Sequence, residues 1–429
     1  MSAADNRAQT LTRFPMHRSV TLLLNIAHAI DHLFLLIFAT AVVAIAKDFG
    51  LGRWEDLMPF GAGAFLLFGL GSLPAGKLGD QWGRRQMMLV FFFGMGASAL
   101  LVALTQGPWQ LAAALTVMGA FASIYHPVGI PMLVQHAAKP GAAIGVNGLA
   151  GNLGIAAAAI VTGILVEHAG WRAAFVVPGL ACFGFGLLFW WRAQHETEAP
   201  AKRTRKAVVQ LAPLEIARVL AVMTVASASG GLIFNLTTNG NGQMLGERMT
   251  ALAHDPSSLG LVLGAVYAVA SVAQVIVGRL IDRYPLKPLW LAIVLAQAPM
   301  LALAAYAPGW WAWLALLGSM VFIFGAIPFT DATIVRFVDD RMRSRVAGMR
   351  LAISLAISSV AVWALGPVVK AAGFGTLFAM MAGVALFSAA VLLLLPREPS
   401  PSPSTAPGEP GRIAAAIGQR VGDTNASAS

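Results

Sequence analysis

The chain's 429 residues are 58% hydrophobic and only 11% charged, with a formal net charge of +10. This balance excludes a soluble globular protein, because water would meet too much apolar surface. A lone cysteine, Cys182, excludes a disulfide framework and a cysteine-based metal site.

In chain order, residues 1–18 are polar and read as a cytoplasmic N-terminus. The first apolar run is too long for the core of a signal peptide, so it reads as a retained helix. Runs of membrane-crossing length fall at 19–46, 57–78, 86–105, 109–134, 142–166 and 171–191, forming a predicted N-terminal bundle over 19–192. A polar stretch at 193–213, containing Lys202-Arg203-Thr204-Arg205-Lys206, predicts a cytoplasmic central loop. Further runs at 214–238, 259–278, 288–306, 311–335, 346–369 and 374–395 give a C-terminal bundle over 214–395. From 396 to 429 the chain is rich in Pro, Ser and Ala, cannot bury a core, and is predicted to be a disordered cytoplasmic tail.

The basic residues sort by position. With a cytoplasmic N-terminus, the opposite face holds only Lys47, Arg53, Arg172, Arg248 and Lys370 of the 29 Lys and Arg. Arg218 and Arg350 fall within spans, and the rest lie in cytoplasmic segments. This positive-inside asymmetry places both termini in the cytoplasm. The basicity is a topology signal, and no nucleic-acid partner is expected.

Between runs two and three lies Gly76-Lys77-Leu78-Gly79-Asp80-Gln81-Trp82-Gly83-Arg84-Arg85, a short loop dense in charge that has to lie at a membrane surface. A degraded copy, Gly278-Arg279-Leu280-Ile281-Asp282-Arg283-Tyr284, follows about 200 residues later, the spacing expected of two repeated halves. The preceding Gly71-Ser72-Leu73-Pro74-Ala75-Gly76-Lys77 nearly spells a phosphate-binding loop. Leu78 stands where a Ser or Thr must meet Mg²⁺, however, and no strand precedes it, so nucleotide binding is excluded. Small residues such as Gly61, Gly63, Gly69, Gly71, Gly145, Gly148, Gly151 and Gly154 permit close helix approach, although ordinary membrane packing uses them too.

Strongly polar groups at membrane depth are costly and mark function by default. Span 1 carries His28, Asp31 and His32 on one helical face. Span 4 carries His126 just before Pro127, and at 1.5 Å rise Asp31 and His126 lie ~18 and ~14 Å from the cytoplasmic ends of their helices, a similar depth. The repeat sets Asn235 near the mate of Asp31, Asp331 near that of His126, and Arg350 near that of Asn147. Asn152 and Asn239 add further amides. Three readings compete for the cluster of His28, Asp31, His32 and His126. It is a proton relay in contact with substrate, a set of interhelical hydrogen bonds, or a transition-metal site. Asp331 with Arg336 or Arg350 reads equally as a structural ion pair.

The Gly76–Arg85 loop, its echo at Gly278 and the twelve-span layout resemble the major facilitator superfamily of secondary transporters. That resemblance implies an all-α fold of twelve transmembrane helices in two pseudo-symmetric six-helix bundles, with spans 1, 4, 7 and 10 lining a central cavity. It implies a conformational gate formed by Gly76, Asp80, Gly83, Arg84 and Arg85, with Asp282 and Arg283 as its weaker counterpart. In it, Asp80 docks against the facing end of helix 11. His28-x-x-Asp31, Ser123-Ile124-Tyr125-His126-Pro127 and Gly148-x-x-Gly151-Asn152-x-Gly154 are similar to the fosmidomycin-resistance type of efflux protein. The antiporter pattern is incomplete: Leu115, Thr116, Val117 and Met118 precede Gly119 without an arginine, and Ala158-Ala159 follow Gly154 without a Gly-Pro pair.

The expected function is therefore secondary active transport of a small organic solute across the cytoplasmic membrane, coupled to H⁺, with efflux favoured over uptake. A transition-metal ion transporter using the His/Asp cluster, or a passive facilitator, is the alternative. The chain lacks an enzyme's nucleophile–base constellation, and no cofactor is expected. The expected partners are the substrate, H⁺ and the lipid bilayer, with the protein acting as a monomer.

Overall fold

The computed structural model describes residues 18–135, 137, 140–193, 213–250, 254–338 and 340–396. The predicted N-terminal segment, central loop and tail lie outside the described residues except at their borders.

The N-terminal half runs α1 (Arg18–Asp48), α2 (Ala62–Trp82), α3 (Arg84–Ala103), α4 (Pro108–Gln135), α5 (Pro140–Ala169) and α6 (Trp171–Arg192). The C-terminal half runs α7 (Pro213–Arg248), α8 (Pro256–Ile281), α9 (Leu286–Tyr306) and α10 (Gly309–Phe337). A last continuous stretch, Asp340–Leu392, is two helices joined at Gly373, whose φ of 74° and ψ of 168° break the helical path. We term them α11 (340–372) and α12 (374–392). Among the described residues the fold is all-α, with eleven helical stretches long and apolar enough to cross a membrane; the last, Ala356–Leu392, is divided at Gly373, which gives the two six-helix bundles.

Span 7 extends beyond the predicted 214–238 because its polar residues continue the helix instead of ending it. Thr238 donates to the Phe234 carbonyl at 2.7 Å and Asn239 to that of Asn235 at 3.0 Å, so these donors are satisfied within the helix. α4 is interrupted by a π turn at Tyr125–Gly129. Pro127 has no N–H to donate, and the widened turn absorbs that missing bond.

The two halves repeat one device. Arg85, at the start of α3, donates to the carbonyls of Trp190 and Ala193 at the end of α6, at 2.7 and 2.6 Å. Lys287, at the start of α9, donates to the carbonyls of Leu393 and Leu395 after α12, at 2.7 and 2.8 Å. A cation thereby satisfies the orphan carbonyls at each bundle's last helix end.

The described contacts between the halves gather toward one end. Ser359 of α11 donates to the Ala62 carbonyl at 2.9 Å, and Gln243 of α7 to the Ala39 carbonyl at 2.6 Å. Lys370 pairs with Asp56, and Gly163 of α5 packs against Gly260 of α8. All of these lie toward the end bearing the α1–α2 and α7–α8 connections. At the other end, where the Gly83 turn and Asp282 lie, Ile144 and Val146 of α5 are 48% and 57% exposed. The described contacts between the halves are fewer toward the face carrying the charged loops.

Candidate functional site

The His/Asp cluster is built by three helices of the N-terminal half. Gly154 of α5 lies against the backbone of Ala29; a Cβ there would stand 2.1 Å from the Ala29 carbonyl oxygen. Gly151 faces the His28 ring, where a Cβ would come within 2.7 Å. These glycines bring α5 onto α1 and leave room for the imidazole.

The structure brings all four predicted cluster residues together. His126 Nε2 lies 3.5 Å from Asp31 Oδ2. Ring centroids are 4.8 Å apart for His28 and His32, 5.0 Å for His28 and His126, and 5.9 Å for His32 and His126. Asp31 is fully buried, neither of its carboxylate oxygens has a hydrogen-bond partner, and Nε2 of His28 is likewise buried and unpartnered. The His126 side chain is 23% exposed and His32 is half-buried, so the cluster reaches accessible surface through these two rings.

A second layer orients the first. His28 Nδ1 donates to the Asn147 carbonyl at 2.8 Å. The Asn147 amide donates to Asn25 Oδ1 at 2.9 Å and to the Tyr125 hydroxyl at 2.7 Å, and that hydroxyl donates to the Leu24 carbonyl at 2.8 Å. Tyr125 also stacks on His28, with centroids 4.8 Å apart. Asn147 thus acts through its backbone as well as its side chain. Tyr125 and Asn25 were not singled out from sequence, although Asn25 lies one turn before His28 on the same face.

The other predicted residues lie elsewhere. Asn152 donates to Gln274 of α8, bridging the halves; Gln274 is a lone amide in an apolar run, a signal that sequence reasoning passed over. Asn235 donates to the Gly231 carbonyl at 2.8 Å and to Ser358 of α11 at 2.7 Å, and Asn239 bonds within α7. Asp331 pairs with Arg350 at 2.9 Å, and Arg350 also donates to the Thr330 hydroxyl at 2.8 Å. Arg336 instead donates to the Ile281 carbonyl.

At the charged loops, Gly83 adopts φ of 99°, a region that favours glycine, and it allows α3 to start at Arg84 directly after α2. Arg84 donates to Gln135 at 2.6 Å. Asp80, Asp282 and Arg283 are exposed, and Arg85 is buried as the α6 cap. Gly76 and Gly79 pack on the π turn: their Cβ positions would meet Pro127 at 3.3 Å and Val128 at 2.9 Å. The loop is therefore in direct contact with the segment that carries His126.

Comparisons with known proteins agree with this architecture. The family model of the Major Facilitator Superfamily matches residues 24–245 and 228–423. The tetracenomycin C resistance and export protein of Streptomyces glaucescens is 30% identical over 177 residues, which are 40% of this chain and 31% of that protein. Two other curated relatives are likewise matched over 25% and 33% of their own length. The multidrug resistance protein MdtG of Serratia proteamaculans is 24% identical over 353 residues, covering 79% of this chain and 83% of that one. The crystal structure of a D-xylose–proton symporter superposes with a TM-score of 0.71 at 15% identity, covering 89% of this chain and 98% of that one. Its likeness concerns the fold. This multi-pass membrane protein belongs to the major facilitator superfamily.

Proposed function

We propose that the protein moves a small organic solute by alternating access across the cytoplasmic membrane, coupled to H⁺, with Asp31 and His126 as the protonation and substrate-contact pair. The observation that carries this reading is the fully buried Asp31 carboxylate, both oxygens without a hydrogen bond, 3.5 Å from His126. A bare carboxylate at that depth is expensive, and a proton shared with His126 offsets the cost in one state and is released in the other. His126 and His32 are the partly exposed members, and His126, beside Asp31, is the one through which the proton path enters.

The cavity is assigned to His28, His32 and the tethered Asn147 on one side, and to Asn235, Asn239, Asp331 and Arg350 on the other. Asn152 serves as a contact between the halves, and Asp80, Arg84 and Asp282 serve as gate groups at the face carrying the charged loops. Export is the favoured direction, in keeping with the resistance and export functions named for two relatives. Both termini are assigned to the cytoplasm by the distribution of basic residues, which makes the face with fewer described contacts between the halves the cytoplasmic one. The transporter works as a monomer of two bundles, 19–192 and 214–395.

A melting-temperature screen of organic solutes identifies a ligand by mass action. Protein in liposomes is then given an imposed pH gradient. Accumulation of that solute against its own gradient is expected, and uptake that only equilibrates, whatever the pH difference, overturns the coupling.

A further inference from the structure

The donor atoms in the N-terminal half have the chemistry and the spacing of a metal site. One nitrogen from each of His28, His32 and His126 lies within 4.8 Å of the others. Asp31 adds a carboxylate with two unpartnered oxygens, one of them 3.5 Å from His126 Nε2. At metal–nitrogen bonds of 2.0–2.1 Å, two ligand atoms of a tetrahedral ion stand about 3.3 Å apart. The His126–Asp31 edge therefore already has the length required, and the imidazole edges close by about an ångström or a little more through side-chain rotation.

The orientation of His28 points the same way. A carbonyl oxygen only accepts, so the bond to Asn147 places the proton on Nδ1. In the neutral ring that leaves Nε2 as a lone pair, buried and without a partner. An imidazole whose far nitrogen donates to a carbonyl is the arrangement that fixes a metal-binding histidine. Here Asn147 is itself held by Asn25 and Tyr125. Entry is available through His126, whose ring is partly exposed.

We propose that His28 through Nε2, His32, His126 and Asp31 form a binding site for one divalent first-row transition-metal ion. Three imidazoles and a carboxylate suit Zn²⁺, Ni²⁺ or Cu²⁺ better than Mg²⁺ or Ca²⁺. Occupancy blocks transport, because the ion fills the cluster assigned above to substrate contact; this second statement rests on that reading.

The test uses the full chain, purified without a polyhistidine tag, and Zn²⁺ alone as the probe. Calorimetry is expected to give one tight site per chain. His28→Ala, His32→Ala, His126→Ala and Asp31→Asn each weaken it at least tenfold, while His168→Ala and His254→Ala leave it unchanged. X-ray absorption on the wild-type complex, which needs no variant to fold, is expected to show imidazole nitrogens in the zinc shell. A shell of oxygen alone, or affinity indifferent to all four cluster variants, overturns the site. In liposomes, saturating Zn²⁺ is expected to suppress pH-driven accumulation at least tenfold, and undiminished accumulation overturns the block. Tight zinc binding in a protein whose transport ignores the pH gradient removes the proton coupling instead and leaves the metal site standing.

Discussion

The two halves share a scaffold and differ in what they bury at its centre. In the N-terminal half, α1 and α5 touch through Gly151 and Gly154, and the space admits an ionisable cluster around Asp31 with unspent hydrogen-bonding capacity. In the register that aligns Asn147 with Arg350, the C-terminal half has Ser354 and Ile357 where those glycines stand. There α7 and α11 are joined by neutral hydrogen bonds, with Asn235 on Ser358 at 2.7 Å and Ser227 beside Ser354 at 3.2 Å. Its charges, Asp331 and Arg350, are already paired, and the Asp331 side chain is 64% exposed. Among the described residues, the first half leaves ionisable atoms of His28 and Asp31 without partners, whereas in the second the buried unpartnered atoms are mainly amide oxygens, those of Asn239, Asn241 and Gln243. On the proposed reading, the chemistry that changes state is concentrated in the first half, and the second acts mainly as a shaped wall.

That contrast is open to direct attack. Its largest expected effect is on coupling. Asp31→Asn should lower gradient-driven accumulation by about a hundredfold or more while counterflow exchange of the same solute stays measurable, since a proton relay supplies factors of about 10² to 10⁴ where it is essential. Asn235→Ala, the nearest counterpart in the other half, should alter the same measurement by only a few-fold. Equal losses in the two variants would erase the distinction between the halves.

Next in size is packing. Gly154→Ala places a methyl group 2.1 Å from a backbone oxygen, and overpacking of this kind costs ~1–3 kcal/mol or more. A marked fall in melting temperature is expected. Gly383→Ala in α12 meets nothing within 4 Å and should be neutral. Melting curves of the two proteins in one detergent decide the matter.

The bundle caps give a smaller contrast. Arg85 is buried and makes two bonds to carbonyls, so Arg85→Met should destabilise by ~1.5–3 kcal/mol per lost charged hydrogen bond at most. Lys287→Met, whose ammonium is more exposed, should lose less. A comparison of urea or thermal midpoints would show the reverse order if the caps were not equivalent devices.

The smallest effect belongs to the exposed ion pair. Asp331→Asn should change stability by ~0–1 kcal/mol, because solvent screens an exposed pair, and should leave accumulation within a few-fold of the parent. A loss on the scale of Asp31→Asn would move the coupling chemistry into the C-terminal half.

Much of this was legible in the chain itself. Apolar run length and the Asp80 and Asp282 loops pointed to two bundles, since membrane thickness and surface charge act on local sequence. The i, i+3, i+4 spacing placed His28, Asp31 and His32 on one face, and a similar depth estimate brought Asp31 to His126. What resisted reading depends on partners distant in sequence. Neither Tyr125 nor Gln274 carries a local pattern that names its contact, and the bond of Asn147 to His28 runs through a backbone carbonyl, which every residue possesses. The family resemblance implies a gate role for Arg85. The structure gives it two carbonyls to cap, a role set by where α6 ends.

Those caps bear on how the molecule deforms. A lever works only if its arms are stiff, and a cation bridging the third and sixth helices stops each bundle from splaying. The compliance then falls to the seam where Gly163 meets Gly260 and Gly264 meets Ile160. Bulk added along that seam should slow the swing between faces without touching either arm.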